Sequence, residues 1–284
     1  MKNNDYQKIL DFSSRQAVPV KYIIDFINHE PAGLAKSIIH EIRKEKIDAL
    51  IIKPKKDDED LKKALDFLKK IQKYYPKPNR KLDQFTASLE TTAKRASLMS
   101  SFYDLDGKRI LFLGDDDFTS LASSKISSPA SVIVLDLDQR IVHSIKNISN
   151  QNKFNINSFQ YDARENLPEK FAQKFDVVFT DPPYTQNGFN LFLSRAIDAL
   201  DLRNKSARIY ICFGNSDRAR ERFLPIYDIL QKSGLMIRFI FDKFNFYKGA
   251  DSIGNTSSLF VCDVTPQTKS LIKANLKKDD IYTG

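Results

Sequence analysis

The chain has 284 residues, 42% of them hydrophobic and 29% charged, with a formal net charge of +9. That composition supports a folded core and argues against disorder, and no run approaches the ~18–20 apolar residues of a membrane span. The polar start Met1-Lys2-Asn3-Asn4-Asp5 is not expected to be a secretory leader, and two cysteines with three scattered histidines argue against a disulfide framework or a Cys/His metal site, so the expected setting is cytoplasmic.

The charge is uneven. Residues 1–82 carry 19 basic and 12 acidic residues, whereas the remaining 202 carry 26 and 24. A basic surface favours polyanions, which leaves nucleic acid open as a partner, but a solvated lysine-rich face is the preferred reading.

In chain order, apolar residues recur at helical spacing from Val20 to about Ile47, broken by Pro31 and Gly33 into two helices. Ile47 to Ile52 reads as a short strand. Leu61, Ala64, Leu65, Leu68 and Ile71 mark a further amphipathic helix. Residues 1–75 are thus expected to form a small, mainly helical, winged-helix-like domain. Residues 76–106, opening with Pro76 and Pro78, are expected to be a linker and connecting helix.

Residues 107–284 alternate strand and helix. Strands are expected at Arg109–Leu113, Val132–Leu135, Ser158–Tyr161, Phe175–Thr180, Arg208–Phe213, Met236–Phe241 and Ser258–Cys262. Helical patterns follow the first of these to about Ser124, then run over Asp138–Asn150, Gly188–Leu200 and Ser216–Gln231. Buried strands spaced by helices predict an α/β fold with a doubly wound parallel sheet. Such sheets bind ligands beyond the carboxyl ends of their strands, so the residues just after each strand matter most.

Acids occupy those positions. Asp115, Asp116 and Asp117 follow the first strand, Asp136 ends the second, Asp162 follows the third and Asp181 ends the fourth. Asp136 lies 22 residues after Gly114, close to the ~20-residue offset at which an acid accepts from ribose hydroxyls. Asp162, before Ala163, is suited to accept from an adenine amino group. Asp181-Pro182-Pro183-Tyr184 resembles the D/N-P-P-Y/F tetrapeptide of methyltransferases that alkylate amino nitrogens. Its prolines lack N–H donors and present carbonyls to the cleft, while Tyr184 can pack on an apolar part of a substrate.

Gly114-Asp115-Asp116-Asp117 bears on the choice of ligand. A carboxylate-bearing donor such as S-adenosylmethionine would meet like charge there, at a cost of about 1 kcal/mol at 4 Å in water and several in a less polar cleft. Decarboxylated S-adenosylmethionine ends in an ammonium and would be attracted. One of the acids could instead cap the following helix, and a clustered-acid metal site is the lesser alternative; no metal is expected.

These motifs resemble the branched-chain polyamine synthases, N4-bis(aminopropyl)spermidine synthases with a class I methyltransferase-like Rossmann fold behind an N-terminal winged-helix-type domain. The resemblance rests on Asp83-Gln84-Phe85, the Gly114-to-Ser120 loop, Leu135-Asp136-Leu137-Asp138, Asp181-Pro182-Pro183-Tyr184-Thr185 and Phe244-Asn245-Phe246-Tyr247. It implies an aminopropyltransferase with decarboxylated S-adenosylmethionine as co-substrate and a polyamine as acceptor. The first alternative is an N-methyltransferase acting on RNA or DNA, and the second a non-catalytic winged-helix regulator with a sensor domain for a polyamine or nucleoside.

By that resemblance Asp181, Asp116 and Tyr184 are the candidate catalytic residues, with Asp181 holding the amine and taking its proton. Gly114, Asp115, Asp136, Leu137, Asp162 and Ala163 are expected at the donor. Asp117, Pro182, Pro183, Phe246 and Tyr247 are expected at the acceptor, the last two on a covering loop unless they only pack in the core. A homodimer formed through the N-terminal module is expected, and no membrane.

Overall fold

Alternation of buried side chains defines the sheet. In β1 (Arg109–Leu113), Ile110 and Phe112 pack into one core and Leu111 and Leu113 into another, so the strand is covered on both faces. The computed structural model describes residues 57–214, 220–248, 255–272 and 281–282. The helices and strand expected between Val20 and Ile52, and the winged-helix-like module with them, lie outside the described residues.

The remaining strands are β2 (Ser131–Asp136), β3 (Ile156–Gln160), β4 (Val177–Thr180), β5 (Arg208–Phe213), β6 (Met236–Phe246) and β7 (Thr256–Asp263). Together they form one seven-stranded sheet in the order β3-β2-β1-β4-β5-β7-β6. β1 to β5 pair in parallel, while β7 inserts antiparallel between β5 and β6. The sheet is therefore mixed rather than wholly parallel. Residues 247–255 separate β6 from β7, fewer than the dozen or so that a parallel crossover needs.

Helices α1 (Asp57–Ile71), α2 (Leu89–Ser101), α3 (Thr119–Ile126), α4 (Gln139–Asn152), α5 (Gln186–Ala199) and α6 (Phe223–Lys232) complete the described fold. α1 to α4 contribute to the core that holds Ile110 and Phe112, and α5 and α6 to the core that holds Leu111 and Leu113. α1, grouped by sequence with the N-terminal module, buries Ala64, Phe67, Leu68 and Ile71 in the same core as β1. Among the described residues no helix is long and apolar enough to cross a membrane.

β6 runs five residues beyond its expected end at Phe241. Asp242 and Lys243 interrupt the apolar run, but β6 is an edge strand, where charged side chains reach solvent. Lys243 adopts φ 51° where the register against β7 shifts, which re-aims the strand so that Asn245 lies opposite Ser257.

Leu113 at the end of β1 is level with Leu135 of β2 and Thr180 of β4. The turns after these strands therefore share one edge of the sheet. β2 and β3 lie to one side of β1, and β4 and β5 to the other, which makes the β1/β4 boundary the switch point.

Candidate active site

The first turn depends on Gly114, whose φ of 71° suits glycine best. Its N–H donates to Leu135 O at 2.8 Å and turns the chain so that the Asp115 N–H donates to Asp136 Oδ2 at 2.9 Å. The second Asp136 oxygen accepts from the Asp138 N–H at 2.8 Å. Burial pushes the Asp136 carboxyl up to about 6 against the pull of these two N–H groups.

The three consecutive acids have different fates. Asp115 is buried and accepts from the Ser120 N–H at 3.2 Å in the first turn of α3; burial holds its carboxyl well above the usual range. Asp117 is 3% exposed and committed to the protein, accepting from the Ala87 N–H at 2.6 Å and from Arg95 Nη1 at 2.9 Å. Burial lifts it to about 6 although Arg95 opposes the shift. Each of its oxygens thus accepts one bond from within the protein, which holds the carboxylate beside the acidic turn. Asp116 is partly exposed and has no hydrogen bond or ion pair among the described residues. Burial, then Asp117, Asp136, Asp181 and Asp115, raise its carboxyl well above the usual range.

The second turn carries Asp181, Pro182, Pro183 and Tyr184, with both prolines buried. Thr185 caps α5 by accepting from the Gly188 N–H at 2.9 Å. Asp181 Oδ2 accepts from Arg95 Nη2 at 2.6 Å and from the Tyr247 hydroxyl at 2.7 Å, while Oδ1 accepts from the Tyr184 hydroxyl at 2.8 Å. The two phenols stand 2.6 Å apart, so the single Tyr247 proton serves one oxygen at a time. Burial followed by the Asp181 charge keeps both phenols protonated, well above their ordinary range.

Several other expected site residues also make contacts within the protein. The Asp162 carboxylate is ion-paired with Arg164, and Ala163 O accepts from Arg195 Nε at 2.9 Å. Leu137 is partly buried and its carbonyl accepts from Gln160 Nε2 at 3.1 Å. Phe246 is exposed. Tyr247 is buried, and Arg95 lies over its ring, 5.8 Å from the centroid. Burial, opposed by Arg164 and reinforced by Asp162, Asp83 and Asp136, raises the phenol of Tyr282.

Sequence reasoning missed Arg95. Its signal is positional: Glu90 and Lys94 mark the outward stripe of α2, and Arg95 falls off that stripe beside buried Thr92, Ala96 and Met99. Gln84, in the Asp83-Gln84-Phe85 motif, is buried and donates to Asp138 Oδ2 at 3.1 Å, tying the segment before α2 to the start of α4.

The profile of the branched-chain polyamine synthase A C-terminal domain matches residues 63–282. The chain belongs to this family. An uncharacterized protein of Methanocaldococcus jannaschii is 36% identical over 222 residues, covering 77% of this chain and 54% of the relative. The N(4)-bis(aminopropyl)spermidine synthase of Thermococcus kodakarensis is 32% identical over 185 residues, covering 64% of this chain and 52% of that enzyme. The chain thus spans about half the length of the curated relatives it matches. Among solved structures, the Thermus thermophilus branched-chain polyamine synthase in complex with N4-aminopropylspermidine and 5'-methylthioadenosine superimposes with a TM-score of 0.69 at 26% identity, covering 77% of this chain and 68% of that one. A Pyrococcus horikoshii protein at 16% identity and a TM-score of 0.56 shares the fold, which is methyltransferase-like.

Proposed function

We propose that this chain carries the catalytic part of an aminopropyltransferase. It would move the aminopropyl group of decarboxylated S-adenosylmethionine to a polyamine nitrogen and release methylthioadenosine. The observation that carries this reading is Asp116, a carboxyl without a hydrogen bond among the described residues, set beside Asp115, Asp117, Asp136 and Asp181 at the switch point. A small polycation is the ligand that such an excess of acid favours, since each ammonium offsets the mutual repulsion of the carboxylates. Family membership supports the same chemistry, as does a T. thermophilus relative crystallised with an aminopropylated spermidine and the thioether product.

In the transfer, the lone pair of a neutral amine attacks the methylene carbon bonded to the sulfonium. The C–S pair leaves on sulfur to give a neutral thioether, and the nitrogen sheds one proton. Asp116 is the better acceptor for that proton. Asp181 already receives three hydrogen bonds, which hold it in place as an anchor for the second turn. Asp136, with a spare lone pair on each oxygen, is suited to the donor's ribose, and Asp162 would have to share Arg164 to reach the adenine. Much of the rate would come from holding nitrogen and carbon in line.

The test incubates the purified chain with decarboxylated S-adenosylmethionine and spermidine and resolves the polyamines. A branched product with an equal amount of methylthioadenosine is expected. Methyl transfer from S-adenosylmethionine to RNA or DNA, without an aminopropylated product, would overturn the reading.

A further inference from the structure

Among the described residues α2 sends one charge into the site. Arg95 is 1% exposed and uses four N–H groups: Nε donates to Asn245 Oδ1 at 2.8 Å, Nη1 to Asp117 Oδ2 at 2.9 Å, and Nη2 to Asp181 Oδ2 at 2.6 Å and to the Tyr247 hydroxyl at 2.9 Å. These partners come from the turn after β1, the turn after β4 and the far end of β6. The guanidinium is a planar fork, so its partners are held in one plane at set separations. No other described side chain touches both turns through charge-assisted hydrogen bonds.

We propose that Arg95 is a positioning residue for aminopropyl transfer. It fixes the Asp181 carboxylate relative to the Asp117 end of the acidic turn, and so sets the distance between the D-P-P-Y turn and Asp116. Arg95 is too deeply buried to meet either substrate and acts only through these carboxylates. The inference rests on the functional reading above and adds to it a residue outside every motif at the strand ends. A lysine would restore the charge but not the fork, since one ammonium cannot span Asn245, Asp117 and Asp181 as the guanidinium does.

The experiment compares the wild-type chain, Arg95→Lys and the double variant Arg95→Met/Asp117→Asn in steady-state assays with decarboxylated S-adenosylmethionine and spermidine, with rates corrected for the folded fraction. The double variant removes the guanidinium together with one of its anions, which limits the stability loss that Arg95→Met alone would cause. For both variants kcat should fall at least about tenfold while the KM of each substrate stays within about threefold. Wild-type kcat in Arg95→Lys, or its recovery in the double variant, would overturn the proposal, since Arg95 would then serve only to neutralise Asp117. A loss that disappears on correction for folding would overturn it as well. A wild-type chain that makes no aminopropylated product defeats the functional reading and this inference together, whereas wild-type turnover with unaffected variants defeats this inference alone.

Discussion

The Asp115 N–H donates to Asp136 Oδ2 at 2.9 Å, joining the turn after β1 to the last residue of β2. One carboxylate therefore holds the acidic turn in place, and under the proposed function the same group also meets the donor's ribose. Asp136→Ala should leave the buried Asp115 N–H without an acceptor, at a cost of about 1–3 kcal/mol in chemical denaturation. It should also weaken methylthioadenosine binding in calorimetry. Asp136→Asn retains one acceptor oxygen and should lose less stability, so equal losses in the two variants would contradict this account.

Asp116 and Asp181 should separate stability from turnover. Asp116→Asn removes a charge crowded by like charges and breaks no hydrogen bond, so its melting temperature should be unchanged or higher. Its kcat should nevertheless fall about a hundredfold or more if this carboxylate takes the proton. Asp181→Asn faces a buried guanidinium with a neutral amide and should lose on the order of 3 kcal/mol of stability. An Asp116→Asn enzyme with full turnover would return the base role to Asp181.

The buried acids predict a specific pH window. Asp117 and Asp136 rise from 3.8 to about 6 in the folded chain, chiefly through burial. An acid whose folded pKa lies above its unfolded value favours folding at low pH and loses that contribution as pH rises through the folded pKa. Stability should therefore decline from about pH 4 through pH 6, and Asp115 and Asp116, raised well above the usual range by burial, carry the decline further in the same direction. Asp138 and Asp176, held low by Arg140 and Arg109, act in the opposite sense below their ordinary value, so the two effects do not overlap. Because a polycation favours the ionised acids, spermidine should raise the melting temperature more near pH 7.5 than near about pH 5. An equal gain at both would count against polyamine binding at this cluster.

Gly214, just past β5, is where backbone meets the D-P-P-Y tyrosine. A Cβ there would lie 2.5 Å from Tyr184 Cε2 and 2.9 Å from Ser257 Cβ. Gly214→Ala should push the Tyr184 ring aside and break its 2.8 Å bond to Asp181. We expect kcat to fall about tenfold with methylthioadenosine affinity little changed. Full turnover in this variant would show that the ring position is not required.

The seven strands, the pattern of acids after them and the D-P-P-Y turn were legible in the chain because they are local. Apolar runs between helical segments mark strands that are buried on both faces, and the residue after each such strand must lie at one edge of the sheet. Asp115, Asp116, Asp136 and Asp181 converge for that reason. Which acid stays open was not legible, since Asp115, Asp116 and Asp117 are identical side chains in a row. Only the turn set by Gly114, the start of α3 and the Ala87 N–H assigns one to a cap, one to a partly exposed position and one to the interior. Arg95 was missed because a charge on a helix ordinarily faces solvent, and its partners lie 22, 86, 150 and 152 residues away. Local sequence thus determined which groups reach the edge of the sheet. Long-range packing decided their charge partners, because burying a guanidinium is tolerable only where acids from distant segments surround it.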